Sequence, residues 1–293
     1  MRDELEQALM AAGDLLAGRQ IMDLSPVGGG SVGTSWRVML SDGEALFVKL
    51  ARPDQLIAEQ SGLAALRHWA DPKLIEVPQV LACLRLGSRS ALVMAWWPSG
   101  RGDQFHLGRG LARLHRRSAQ SNPRRFGWAQ DGFIGLGPQP GGWCESWGEA
   151  FTQLRLRPQL ELARDWGLVE TDWESLLSPV MDWLNRHAPQ PCLVHGDLWA
   201  GNAAVLEDGR GLLIDPASWW ADREVDLAMT QLFGGFTRRF WEGYQQEWPL
   251  DDGAEQRIEV LNLYHVLNHA NLFGGGYQQQ SRNILKELRR DWL

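Results

Sequence analysis

The stretch from Leu193 to Asp215 constrains this chain more than any other. Leu193-Val194 closes a short apolar run, and His195-Gly196-Asp197-Leu198-Trp199-Ala200-Gly201-Asn202 follows as a polar loop. Two further apolar runs, Ala203–Glu207 and Arg210–Ile214, flank Asp208-Gly209. Asp-Gly tolerates positive φ at both central positions of a two-residue turn, so the pattern predicts a β-hairpin. Such a turn would set Asn202 directly opposite Asp215 at the open end, with Cβ atoms about 5 Å apart. An amide oxygen and a carboxylate at that spacing can share Mg²⁺, a hard cation that takes a few protein oxygens plus substrate phosphates. Asp197, on the loop entering the hairpin, adds a second carboxylate that can orient an attacking hydroxyl.

The order His195-x-Asp197-x-x-x-x-Asn202, hairpin, Asp215 resembles the catalytic loop and metal-binding Asp of protein-kinase-like phosphotransferases. Gly196 in place of Arg, and Asp215-Pro216 in place of Asp-Phe-Gly, resemble the small-molecule kinases of the aminoglycoside phosphotransferase type. With Asp215-Pro216-Ala217, Asp226-Leu227-Ala228-Met229-Thr230 and Leu232-Phe233-Gly234-Gly235-Phe236, the pattern resembles the fructosamine-3-kinase (ketosamine-3-kinase) family. The likeness runs from about residue 21 to 290.

The rest of the chain is read around that centre. Leu5, Leu9, Ala12 and Leu16 predict a helix over 2–18, and Ile21–Val27 and Val32–Leu40 predict strands around Gly28-Gly29-Gly30-Ser31. Successive glycines leave backbone N–H groups open to phosphates, although no Walker Gly-Lys-Ser/Thr follows. Asp42-Gly43 marks a second hairpin turn into a strand ending in Lys49-Leu50. A lysine in an apolar strand needs a partner if it is buried. Glu59, on a helix from Gln55 to Trp69, is a better candidate than Glu44, and the kinase resemblance implies that Lys49–Glu59 positions the phosphates of ATP.

Val80–Arg85 and Ala91–Trp97 complete a five-stranded antiparallel sheet, with Pro98-Ser99-Gly100 as its boundary. The expectation is an α+β, bilobal protein-kinase-like fold. Residues 1–97 form a nucleotide lobe and 98–293 a mainly helical catalytic lobe. Met94, Ala95 and Trp96 form the hinge that meets adenine. Helices are expected at Leu107–Arg117, Trp147–Trp166, Asp172–His187, Glu224–Phe233, Phe236–Glu247 and Gly253–Phe273, with an ordered irregular segment over Gln120–Gly142. Trp199, Trp219 and Trp220 offer aromatic walls for a sugar-amine, and the resemblance implies that Glu224 lies on the substrate side. Asp226 is expected to brace the catalytic loop from a helix N-terminus. His265 and His269 lie one helical turn apart without a third ligand and read as packing.

A net charge of −7 argues against a nucleic-acid-binding face. No apolar run approaches the roughly 18–20 residues that span a bilayer. Cys83, Cys144 and Cys192 are odd in number and far apart, and the start Met1-Arg2-Asp3-Glu4 lacks a signal-peptide core, which together point to the cytoplasm. Nothing in the pattern specifies an oligomeric state. The resemblance implies ATP- and Mg²⁺-dependent transfer of a phosphoryl group to the 3-hydroxyl of a small-molecule or protein-bound ketosamine. The motifs also leave open a kinase of another small alcohol and a non-catalytic nucleotide-binding protein, and give little support to a two-histidine metal hydrolase.

Overall fold

The structure is a computed structural model that describes residues 1–28, 34–168 and 173–292. Five antiparallel strands form the first sheet, in spatial order Ile21–Val27, Thr34–Leu40, Ala45–Ala51, Arg89–Ala95 and Val80–Leu86. Alternation along Ala45–Ala51 decides what this sheet can do. Leu46, Val48 and Leu50 enter a core closed by Leu5 and Leu9 of the Arg2–Ala11 helix. Phe47 and Lys49 therefore face the opposite side, where Leu56, Leu63 and Leu66 of the Pro53–Trp69 helix pack. The next strand, Arg89–Ala95, sends Ala91 and Val93 into the first core and Leu92 and Met94 into the second. It is buried on both faces, and its continuous apolar run reflects that.

Beyond residue 98 helices dominate: Phe105–Gln120, Trp147–Phe151 running on to Trp166 through a π-turn, Glu174–His187, Glu224–Leu232, Arg238–Glu247, Ala254–Phe273 and Gly276–Trp292. The last was not expected from the sequence. Gly274, Gly275 and Gly276 interrupt the periodicity before it, and its hydrophilic turns hide the buried Leu285 and Leu288. The Gln120–Gly142 segment is less irregular than expected. It contains the strand Phe126–Trp128 and a hairpin, Gly132–Ile134 with Gly137–Gln139.

Two small sheets position the site. Cys192–Val194 pairs with Trp219–Ala221, which in turn pairs with Phe126–Trp128. Ala203–Leu206 and Gly211–Leu213 form the anticipated hairpin, flanked by Ser99–Gly100 and Ile75–Glu76. Its register differs from the expectation. Ala203 faces Leu213, and the Ile214 N–H donates to the Asn202 carbonyl at 3.0 Å, so Asn202 lies opposite Ile214 rather than Asp215. The turn holds three residues, because the Leu206 carbonyl accepts from Gly209 N–H and the Leu206 N–H donates to Arg210. Gly209 takes φ +84°, the left-handed position that closes a three-residue loop. Asp42-Gly43 closes its hairpin in the same way, with the Leu40 N–H donating to Glu44 and Gly43 at φ +87°.

Candidate active site

The loop after Val194 is held by its backbone. Gly196 has φ +84°, and a Cβ there would lie 2.1 Å from the Ala217 carbonyl oxygen, so no side chain fits. Asp226, fully buried near the start of the Glu224–Leu232 helix, accepts from the N–H groups of His195 at 2.7 Å and Gly196 at 2.8 Å. His115 Nε2 makes a third contact at 3.0 Å, and its Nδ1 lies 3.0 Å from the Tyr244 hydroxyl. Burial opposes ionisation of Asp226, but His115, His195 and the Gly196 N–H outweigh it and hold the carboxyl below its usual range. His195 points away from the cleft. Its Nε2–H donates to the Ile214 carbonyl at 2.8 Å, which leaves Nδ1 to accept from the Asp197 N–H. Burial lowers its pKa and keeps it neutral.

Asn202 and Asp215 meet in spite of the shifted register. Asp215 adopts φ +52°, and this left-handed turn swings its carbonyl back to within 3.3 Å of Asn202 Nδ2. The same amide nitrogen donates to the Asp197 carbonyl at 2.9 Å and to Asp197 Oδ2 at 3.1 Å. With the nitrogen so engaged, Oδ1 is the atom of the Asn202 amide left to accept. Lys49 Nζ lies 2.8 Å from Glu59 Oε2 and 2.9 Å from Asp215 Oδ1, in a nearly dry pocket. Burial works against the lysine charge, but Glu59 and then Asp215 outweigh it and raise its pKa. Glu44 instead pairs with Arg19 at 2.7 Å. For Asp197, burial first and the neighbouring Asp215 second push the carboxyl up to about 7. An anionic Asp197 beside Asp215 is costly without a cation between or beside them.

Two cavities meet at Asp197. The first is narrow and polar, with about 60 Å³ of free space among Lys49, Glu59, Asn202, Asp215 and the Gly132–Gln139 hairpin. That hairpin reaches the Pro53–Trp69 helix side of the cleft, where Arg52 stacks over Phe133 at 5.2 Å. Gln139 locks its base, donating to the Ala217 carbonyl at 3.0 Å and accepting from Tyr264 at 3.0 Å. The second cavity, of about 420 Å³, is walled by Trp199, Phe233, His269, Phe273 and Tyr277. The Trp199 indole folds over Gly201, where any Cβ would strike the ring at 2.3 Å. Phe233, Phe273 and Tyr277 were not assigned to the site from the sequence. His269, Phe273 and Tyr277 are spaced by four residues, a stripe that the three glycines conceal.

Three expected substrate-side residues lie elsewhere. Trp219 is fully buried, 5.7 Å from Trp147 and stacked under the Arg155 guanidinium at 3.9 Å. Trp220 alternates to the other face of the strand and meets Trp69 edge-on at 6.5 Å. Both are held by a strand paired on each side, which directs one into the core and the other toward the Pro53–Trp69 helix. Glu224 is fully buried in a two-point pair with Arg257, at 2.7 and 2.8 Å. Of the hinge residues, Met94 is in the core and Trp96 donates its N–H to Ala45 at 2.9 Å, under the Arg37 guanidinium. Antiparallel alternation turns the backbone groups of Ala95 away from the Ala45–Ala51 strand. Gly28 directly follows the Ile21–Val27 strand, and Gly29, Gly30 and Ser31 lie outside the described residues. His265 is buried with both ring nitrogens unpartnered, and burial lowers its pKa to about 3, so it packs rather than ligates.

Comparison with known proteins places this geometry in context. The sequence profile of the family "Fructosamine kinase" matches residues 6–291. A "Probable ketoamine kinase" of Synechocystis sp. is 40% identical over 275 residues, covering 92% of each chain. A solved candidate fructosamine-3-kinase of Thermobifida fusca superposes with a TM-score of 0.81 at 30% identity, over 97% of this chain and 99% of that one. An aminoglycoside phosphotransferase, solved with ADP and hygromycin B, shares the fold at TM-score 0.61 and 15% identity, over 97% and 98% of the two chains.

Proposed function

This chain belongs to the fructosamine kinase family, and we propose that it moves the γ-phosphoryl group of ATP to the 3-hydroxyl of a ketosamine. The acceptor class is a fructosamine or ribulosamine adduct on an amine, amino acid or protein, and the role is deglycation. One observation carries this reading: Asp197 stands where a polar, lysine-bearing cleft meets a cavity with aromatic walls. A phosphate donor suits the first and a sugar-amine the second. No helix of the described residues is long and apolar enough to cross a membrane.

In this mechanism the acceptor hydroxyl hydrogen-bonds to Asp197, which takes its proton as the oxygen attacks the γ-phosphorus and the bond to the β,γ-bridging oxygen breaks, releasing ADP. Lys49, held by Glu59, neutralises and orients the donor's phosphates, and Gly28-Gly29-Gly30-Ser31 is the stretch assigned to meet them through backbone N–H groups. The adenine meets the Met94–Trp96 segment chiefly through the backbone of Ala95, since Met94 is in the core and the Trp96 N–H is engaged by Ala45. Asn202 Oδ1 and the Asp215 carboxylate suit Mg²⁺, which would neutralise charge on the transferring group. Catalysis then rests mainly on in-line positioning and charge neutralisation.

An ADP-release assay across ketosamines and simple alcohols tests the assignment. Turnover confined to ketosamines is expected, and a strong preference for another alcohol would overturn it. Asp215→Asn should lower turnover by about a hundredfold or more at ordinary Mg²⁺, since it deletes the charge with little change in volume. Trp199→Ala should raise KM for the ketosamine about 5–10-fold and KM for ATP much less, as expected for loss of one aromatic contact. Equal effects on both would place the indole outside the acceptor site.

A further inference from the structure

We propose that His187, Asp222 and Glu224 form a binding site for one zinc-class divalent ion, apart from the catalytic cleft. His187 ends the Glu174–His187 helix, while Asp222 and Glu224 bracket the junction between the Trp219–Ala221 strand and the Glu224–Leu232 helix. One ligand atom from each lies within 4.8 Å of the others, and among the described residues no other such group occurs. His187 Nε2 is 3.2 Å from Asp222 Oδ2 and 3.9 Å from Glu224 Oε1. A tetrahedral ion with N and O bonds of about 2.0–2.2 Å holds neighbouring ligand atoms roughly 3.3–3.6 Å apart. Both His187 distances are thus within a few tenths of an ångström of that spacing, and the two carboxylates lie within 4.8 Å of each other.

A second observation points to a ligand. Asp222 is 1% exposed, and its Oδ2, aimed at the cluster, has among the described residues no partner but the His187 imidazole 3.2 Å away. A buried carboxylate oxygen left in that state is costly unless something fills its lone pairs. The carboxylate is fixed for such a role, because Oδ1 accepts from the Glu224 N–H at 3.0 Å. Glu224 is fixed by Arg257, whose Nη2 takes one lone pair of Oε1 at 2.8 Å and leaves the other toward His187. Hydrogen-bonded supports of this kind orient metal ligands in general. Once the imidazole gives up its proton to coordinate, the two carboxylates and one guanidinium leave a net charge of −1, which a divalent ion more than balances.

The site is reachable. His187 borders an open cavity of about 450 Å³, lined also by Trp183, Gln256 and Arg257, from which water can supply a fourth ligand. One imidazole among oxygens selects a zinc-class ion over Mg²⁺, which prefers oxygen alone. It is distinct from the cleft. Cys192 pairs with Ala221 beside the cluster, whereas Val194 and Trp219, at the other end of the same strands, lead to the catalytic loop.

The test uses chelator-stripped, full-length protein in excess Mg²⁺, titrated with Zn²⁺ against a chromophoric chelator and, separately, with Co²⁺ followed by visible absorption. One equivalent of Zn²⁺ should bind, with Co²⁺ giving d–d bands. His187→Gln should weaken Zn²⁺ binding by about a hundredfold and abolish the bands. His187→Cys, which keeps a ligand, should retain tight binding. Asp215→Asn, which disables the cleft set, should leave Zn²⁺ affinity within about twofold. The proposal is overturned if no equivalent binds, if His187→Gln binds like the parent, if His187→Cys binds as weakly as His187→Gln, or if Asp215→Asn removes the site.

Discussion

Asp197→Asn is expected to lower kcat on a ketosamine by about 10²–10⁴-fold while changing KM for ATP only slightly. The substitution is nearly isosteric, and the groups that hold residue 197 act largely on its backbone: His195 Nδ1 accepts its N–H, and Asn202 Nδ2 donates to its carbonyl. Only the Asn202 contact to Oδ2 involves the altered group, and an amide there can turn its own oxygen to the same donor. The acceptor hydroxyl, by contrast, loses the carboxylate proposed to take its proton. Steady-state kinetics, with nucleotide binding measured separately on the variant, separate the two effects. A fall in kcat of less than about tenfold with binding intact would remove Asp197 as the base.

A larger structural effect is expected at Asp226, which touches no substrate. Its carboxylate satisfies two buried backbone N–H groups and a buried histidine. Asp226→Ala leaves all three without that partner at a site closed to water, at about 1–3 kcal/mol for each. A loss of 3–5 kcal/mol in urea unfolding is expected, a large share of the usual 5–15 kcal/mol for a domain. Asp226→Asn should be intermediate, because one acceptor oxygen survives while the new amide N–H₂ confronts a donor. The carboxyl's lowered pKa gives the pH dependence its sign. Stability from this group is present above the unfolded-state value near 4 and lost as pH falls through the lower folded value. A stability loss below about 1 kcal/mol for the alanine variant would mean that the loop holds itself.

The sequence made the fold and the polar half of the site legible because their signals are local or periodic. Alternation in Ala45–Ala51 puts Lys49 on one face with Phe47, and helical spacing puts Glu59 on the face that meets it. What it misplaced depends on a single backbone angle or on distant pairing. Asp208-Gly209 reads equally as the core of a two-residue turn or as the end of a three-residue one, and only the closing hydrogen bonds decide. Trp219 and Trp220 were drawn to the site by closeness in sequence to Asp215. The strands that pair with Trp219–Ala221 come from Phe126–Trp128 and Cys192–Val194, and no local pattern announces that partnership. The aromatic cavity was hidden for a similar reason, as its walls come from four separated stretches.

The backbone at residue 215 also bears on which sequences can keep this chemistry. At φ +52° a side chain crowds the backbone, and among residues other than glycine Asn and Asp enter that region most readily, although Ala17 and Ala188 also adopt it here. Glycine offers no ligand and asparagine no charge. Glutamate, the other carboxylate, carries the charge but is disfavoured by the main chain before its length is considered. Two unrelated demands, one conformational and one electrostatic, therefore intersect at a single amino acid. Under the proposed metal-binding role, any replacement at this position would have to meet both demands at once.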